Sequence, residues 1–228
     1  MTLFEGFAVN NGHIDTEEKC IHNYALKNNI PYKYFNKVKD VPKNWIPVGT
    51  IDWFLSYTNI DIDIFEENYP SFLRPYLKRN VWTSNSLPEK GVFIKPLDKL
   101  KRFNGTQLGE WPKGQQKKGP YICSDTVHFI NEWRYYVDDG KILAAAWYAG
   151  EAETSTVEPP APSLDELHIK WPNGWVGDAD FGIEKNNGLC LIEAHQPFAV
   201  GNYLGLNSDI YAKWIIDGYF YMKNKYNF

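Results

Sequence analysis

The sequence predicts an α+β fold that opens with a small α/β lobe, and three observations carry that reading. The first sixty residues alternate strand and helix signals. Two later hairpins, around Asp139-Gly140 and Lys185-Asn186-Asn187-Gly188, each carry an apolar face and a charged one. An amphipathic helix closes the chain. With 228 residues, 43% of them hydrophobic, the chain is globular and can bury a core as one bilobed domain or two small ones.

Phe4 to Val9 reads as the first strand. Asp15 with Glu18 three residues later has the pattern of a capping box, and Ile21, Tyr24 and Ala25 follow helical spacing. A helix over 16–28 is therefore predicted, closed by Pro31. Tyr32 to Phe35 and Ile46 to Trp53 read as two further strands joined by a polar connection with Pro42. Phe65 to Lys78 has helical periodicity broken by Pro70 and Pro75, an irregular helical bridge. Val92 to Lys95 is a short strand ended by Pro96. Gly105, Gly109, Gly114 and Gly119 punctuate a Lys- and Gln-rich stretch that reads as a mobile loop. The acidic, Pro-rich Glu151 to Ser163 reads as a linker or surface loop. In the tail, Ile210, Tyr211, Trp214, Ile215 and Tyr219 recur at helical spacing over 208–223.

Period-two alternation assigns the hairpin side chains to faces. A two-residue type I′ turn at Asp139-Gly140 sets Glu132 opposite Trp147 and Arg134 opposite Ala145. Glu132 and Arg134 then share one face, while Trp133, Tyr135, Val137, Ile142, Ala144 and Ala146 form the core face. In the second hairpin Asp180 faces either Glu193 or His195, depending on which turn residues lie at the centre. Either way Asp178, Asp180, Glu193 and His195 share one face. Ala179, Phe181, Ile183, Cys190, Ile192 and Ala194 share the other. Opposed carboxylates repel, so a positive partner is expected: Mg²⁺, which takes hard oxygen ligands, or a nearby lysine. A surface Glu–Arg pair and a solvated acidic edge are the plainer alternatives.

Composition narrows the function. A net charge of −4 argues against general nucleic-acid binding. The lysines from Lys90 to Lys118 form either a solvated face or a local basic patch. Cys20, Cys123 and Cys190 are too few and too scattered for a disulfide framework, and no CxxC pair suggests zinc. The longest apolar run, Ile142 to Ala149, is too short to span a bilayer, and no signal segment is read at the start. A reducing cytoplasm is the expected location.

The residues form an ordered series: Phe93-Ile94-Lys95-Pro96, a Gly-rich basic loop, Asn131-Glu132-Trp133-Arg134, Asp180-Phe181-Gly182, Ile192-Glu193-Ala194-His195 and Gly201-Asn202-Tyr203. This series resembles an ATP-grasp domain over roughly residues 60–225, most like the clade named for two arginines and a lysine. The resemblance implies a two-lobed ATP-grasp fold (residues 61–228) preceded by a small α/β pre-grasp lobe (1–60). It implies ATP and Mg²⁺ as cofactors. Lys95 resembles the strand lysine that contacts ATP phosphates; Lys101, with Lys99 as its rival, resembles a second basic residue before the lid. Gly105–Gly119 looks like that lid, and Val127, His128 and Phe129 like the hinge that meets the adenine edge. Glu132 is placed like the acid that accepts ribose hydroxyls and Arg134 like the phosphate-binding arginine. Asp180 and Glu193, with His195 beside them, match the metal position. The clade's other arginine is left open among Arg74, Arg79 and Arg102. The clearest departure is His195, where family members usually carry an Asn.

The implied activity is an ATP-dependent carboxylate–amine ligase acting through an acylphosphate, with small-molecule or peptide acids and amines as partners. A Mg-ATP-binding module without ligase chemistry is a second expectation. A third is an aromatic-rich interaction protein with Trp111, Trp147, Trp171 and Trp175 along a groove.

Overall fold

The computed structural model describes residues 4–12, 16–88, 91–98, 103–107, 118–151, 158–203 and 206–228. Strand β1 (Gly6–Asn10) is central in a parallel three-stranded sheet, flanked by β2 (Tyr32–Phe35) and β3 (Trp45–Val48). Helix α1 (Thr16–Asn28) spans the predicted range and buries Ile21 and Ala25. Asp15, half of the predicted cap, lies outside the described residues; Glu18 accepts hydrogen bonds from the Tyr32 and Tyr34 hydroxyls. The strand expected over Ile46–Trp53 ends early. Gly49 turns the backbone to φ +143°, where a Cβ would meet that of Asn10 at 2.7 Å. Thr50 then caps helix α2 (Ile51–Thr58) by accepting from Trp53 N.

The predicted helical bridge is helix α3 (Ile64–Asn68), capped by Asp63, followed by a single 3₁₀ turn at Arg74–Tyr76. Next comes an antiparallel sheet of order β4-β7-β5-β6, from β4 (Val81–Ser84), β5 (Val92–Pro96), β6 (Thr106–Gln107) and β7 (Tyr121–Asp125). Of these, only β5 was predicted as a strand. A second antiparallel sheet has order β11-β10-β8-β9, from β8 (Phe129–Asp138), β9 (Lys141–Gly150), β10 (Gly177–Glu184) and β11 (Gly188–His195). Helix α4 (Ser208–Tyr226) follows, capped by Asn207. It buries Tyr211, Trp214, Ile215 and Tyr219, while Ile210 is exposed.

Two cores sandwich the second sheet. One joins β1, α1, Phe54 of α2 and α4 to Tyr136 and Ala146. The other packs Trp133, Tyr135, Phe181 and Leu191 against Tyr69, Leu73, Leu77 and Ile122. Tyr136 and Arg134 lie two residues apart on β8, so the first face runs from apolar at Tyr136 to charged at Arg134 and Glu132.

Both hairpins turn where predicted, the second over Lys185, Asn186 and Asn187 and not about either predicted centre, and bulges change their pairing. Asp139 and Gly140 adopt φ +48° and +69°, as a type I′ turn requires. The expected register holds only at Asp138↔Lys141 and Val137↔Ile142; Leu143 and Tyr148 then drop out of the pairing, so Arg134 faces Ala146 and Glu132 faces Ala149. Ala145 and Trp147, not Ala144 and Ala146, therefore share the face of Trp133 and Tyr135. In the second hairpin a shift after Asp180 puts Leu189 and Leu191 with Phe181 in place of Cys190 and Ile192.

Candidate active site

Neighbouring strands set the site out in rows. Tyr136 of β8 pairs with Asp178 of β10, which pairs with His195 of β11. One step along, Arg134 pairs with Asp180, which pairs with Glu193. One step further, Glu132 lies beside Gly182, where a Cβ would meet the Phe129 ring at 2.6 Å. Of the two registers open from sequence, the structure has Asp180 opposite Glu193. Strand β5 of the other sheet brings Lys95 to this surface.

The contacts among these groups are charged and mostly buried. Arg134 donates from Nε to Asp180 Oδ1 at 2.9 Å and from Nη2 to Oδ2 at 2.8 Å, a two-pronged pair. Its Nε also lies 3.4 Å from Asp178 Oδ2. His195 Nδ1 is 2.7 Å from Asp178 Oδ1, and its Nε2 is 3.3 Å from Glu193 Oε1. Lys95 Nζ donates to Glu193 Oε2 and stands 4.8 Å from the centre of the Tyr69 ring. The Tyr148 hydroxyl donates to Glu132 Oε2 at 2.7 Å. Tyr148 stacks on Tyr203, and the Arg134 guanidinium lies 5.0 Å from the Tyr203 ring centre.

Charge and burial set the ionisation. Burial disfavours the His195 imidazolium, but Asp178 and Glu193 outweigh it and push the pKa up to about 9. Burial also penalises the Glu193 carboxylate; Lys95 and His195 reverse this and hold it well below the ordinary value. Burial pushes Glu132 up, and the Tyr148 hydroxyl pulls it part of the way back. Burial works against charge on Arg134, yet Asp178 and Asp180 keep the guanidinium protonated.

Apart from the fully buried Asp178, these groups line one cleft of about 840 Å³. Lys95, Val127, His128, Phe129, Glu132, Arg134, Asp180, Glu193 and His195 are among its lining residues. Every predicted site residue is therefore on the cleft except Lys101, which, like Lys99, Arg102 and Gly109 and Gly114 of the loop, lies outside the described residues. Residues 126–128 connect β7 of one sheet to β8 of the other, as expected of a hinge segment. Gly105 also lines the cleft, and a Cβ there would come within 2.4 Å of the Phe93 ring.

Several neighbours were not assigned from sequence. Asp178 was on the predicted face but was given no role. It is fully buried, and with Asp180 and His195 it offers three possible ligand atoms within 4.8 Å of one another. Of the three arginines left open, Arg79 lines the cleft. It donates to the carbonyls of Leu191 at 2.6 Å and Ile192 at 2.7 Å, next to Glu193. Arg74 pairs with Glu66 instead. Tyr148 and Tyr203 also line the cleft; the bulge that turns Tyr148 inward leaves no mark in the sequence pattern. Trp171 and Trp175 pack on each other and on Phe72, and Trp147 donates to Asn131; none of these three is a cleft residue.

A family model for the ATP-grasp domain, family 2 of the clade named for two arginines and a lysine, matches residues 76–214, well over half of the chain. The chain belongs to this family. The fold agrees across solved structures of low sequence identity. D-alanine–D-alanine ligase from Bacillus anthracis, complexed with ATP, superimposes with a TM-score of 0.55 at 13% identity, covering 97% of this chain and 99% of that one. The ATP-grasp ligase PsnB, complexed with a minimal precursor, gives 0.54 at 10% identity over 94% and 99%. N5-carboxyaminoimidazole synthetase from Staphylococcus aureus gives 0.51 at 8% identity over 86% and 72%. No curated protein matches the sequence. Among the described residues, no helix is long and apolar enough to cross a membrane.

Proposed function

We propose that this chain is an ATP-dependent carboxylate–amine ligase, with residues 61–228 as its ATP-grasp domain and 1–60 as a pre-grasp lobe. The observation that supports it most is the convergence of Lys95, Arg134, Asp180 and Glu193 on one cleft between two sheets.

The donor set fits Mg-ATP. Asp180 and Glu193 are register partners that supply hard oxygens, and Asp178 adds a buried carboxylate whose Oδ2 has no hydrogen-bond partner among the described residues. These carboxylates would hold Mg²⁺, which neutralises phosphate charge when bound. His195 was expected beside the metal; its ring nitrogens face Asp178 and Glu193, whose charge favours the imidazolium. We therefore assign it to the phosphates with Lys95 and Arg134. Glu132 takes the ribose hydroxyls, and residues 127–129 take the base. Lys101, with Lys99 as its rival, remains the proposed second phosphate lysine.

The chemistry follows from those roles. The cations draw charge off the γ-phosphoryl group as a substrate carboxylate oxygen attacks it and ADP leaves. The amine then attacks the acylphosphate carbon and expels phosphate. Lining by Phe93, Phe103 and Phe129 keeps water from that intermediate. The named structural neighbours include a ligase of an amino acid and one complexed with a precursor, so small-molecule and peptide acids and amines are both retained as partners. The cytoplasm as location is supported by three free cysteines.

A second reading, a Mg-ATP-binding module without ligase chemistry, rests on His195 standing where the family usually has Asn. Calorimetry with Mg-AMPPNP and ADP release over a panel of acids and amines decide between the two. Acid- and amine-dependent ADP release that is lost in Glu193→Gln supports the ligase. Nucleotide binding with no ADP formed supports the module, and no nucleotide binding rejects both.

A further inference from the structure

Lys95 and Glu193 are paired across the cleft. Strand β5 of one sheet carries Lys95 and β11 of the other carries Glu193; both residues line the cleft, and both side chains are partly exposed. The Lys95 ammonium donates to Glu193 Oε2, while His195 Nε2 stands by Oε1. In the reading above, Lys95 takes phosphate and Glu193 takes metal. In the ligand-free chain each of the two is therefore occupied by the other. Arg134 and Asp180 are arranged differently. They pair within one sheet through Nε and Nη2, which leaves Arg134 Nη1 over for a ligand.

What it costs to open the Lys95–Glu193 bridge depends on what enters. With nucleotide alone, Lys95 turns to phosphate and Glu193 is left facing oxygens of its own sign. With metal alone, Glu193 turns to the ion and the Lys95 ammonium is left beside a dication. Either way a partly desolvated charge loses its partner, which is the costly way to break such a pair. With metal and nucleotide together, one pair is exchanged for two and neither charge is left over.

We propose that the Lys95–Glu193 bridge is a latch that makes metal and nucleotide bind as a unit, because it opposes either one arriving alone. The inference deepens the proposed function by stating how its site is regulated. It rests on the nucleotide-binding part of that reading and holds for the ligase and for the module alike. The same coupling is reciprocal: whatever factor the metal adds to nucleotide affinity, the nucleotide adds to metal affinity.

The test is a double-mutant cycle read by calorimetry on the full chain, with wild type, Lys95→Met, Glu193→Gln and the double variant. The probes are AMPPNP in EDTA and Mg-AMPPNP. Wild type binds Mg-AMPPNP about a hundredfold more tightly than AMPPNP in EDTA. Glu193→Gln removes a proposed metal ligand, yet it binds AMPPNP in EDTA about tenfold more tightly than wild type, because Lys95 no longer leaves a carboxylate behind. In the Lys95→Met background the same substitution relieves only like-charge repulsion, so its effect is at least about fivefold smaller. An equal effect in both backgrounds shows that Glu193 merely repels phosphate and overturns the latch, as does no tightening in Glu193→Gln. The wild-type comparison needs no variant: binding in EDTA within about threefold of Mg-AMPPNP overturns the latch even where a substitution prevents folding. Failure of Mg-AMPPNP to bind wild type removes the nucleotide reading, and this inference with it. Coupled binding with no ADP formed over the acids and amines removes only the ligase and leaves the latch standing.

Discussion

Arg134 and Lys95 face carboxylates in the same cleft, yet the fold holds them in different ways. Arg134 and its partner Asp180 are register neighbours on adjacent strands of one sheet, with side chains only 9% and 3% exposed. Lys95 belongs to one sheet and Glu193 to the other, and their side chains are 13% and 25% exposed. Backbone hydrogen bonds set the first pair, so it persists for as long as the sheet does. The second pair depends on how the two sheets sit, and it lies where a ligand between them has to enter. One cation is part of the scaffold; the other closes a gap that Mg-ATP would reopen.

The largest difference is expected between Arg134→Met and Lys95→Met. Removing Arg134 leaves Asp178 and Asp180 buried without their guanidinium, so the unfolding free energy falls by about 3–5 kcal/mol. Under the ligase reading, ADP release falls by about 10²-fold or more as well. Lys95→Met loses ADP release to a similar degree but costs only about 1–2 kcal/mol of stability, because Glu193 is partly exposed and keeps His195. Urea denaturation followed by tryptophan fluorescence measures both. Equal destabilisation by the two substitutions would show that the bridge between sheets is as structural as the pair within one.

His195 joins the two systems, since it touches Asp178 within the scaffold and Glu193 beside Lys95. Its pKa rises from 6.5 unfolded to about 9 folded, so the folded state binds the proton more tightly. The resulting stability is fully present below about pH 6.5 and is lost as the pH rises through about 9. Without ligand, wild type therefore loses about 2–3 kcal/mol between pH 6.5 and 10 that His195→Asn does not. Parallel urea titrations across that range check it. Identical pH profiles in the two proteins would mean that Asp178 and Glu193 are satisfied without an imidazolium.

The same distinction explains what the sequence made legible. Period-two alternation needs only the strand itself, so Glu132 with Arg134, and Asp178 with Asp180, fell on their correct faces. Pairing between strands depends on bulges, and these carry no residue signature here: Leu143 and Tyr148 look like any other members of β9. That is why Ala144, Ala146, Cys190 and Ile192 were put on the wrong face. Helix α2 was missed because Ile51 and Trp53 alternate with Thr50 and Asp52 as a strand would, and the turn at Gly49 splits the stretch from Ile46 to Trp53. Arg79 was not separable from Arg74 by spacing, since its role depends on carbonyls more than a hundred residues away. Order along the chain revealed the family; contacts between sheets became visible only in three dimensions.

The smallest effect tests whether a scaffold contact can be spared. The Tyr148 hydroxyl supports Glu132 from the adjacent strand, and burial makes that carboxylate costly to keep ionised. Tyr148→Phe removes one hydrogen bond to a charged group while keeping the ring that stacks on Tyr203. The expected loss is about 1–2 kcal/mol of stability, and nucleotide affinity falls only a few-fold, because β8 still directs Glu132 into the cleft. Calorimetry with Mg-AMPPNP measures the second quantity. An affinity loss as large as that of Lys95→Met would place Tyr148 with the contacts that bind the ligand, and would show that strand pairing alone does not hold Glu132 in position.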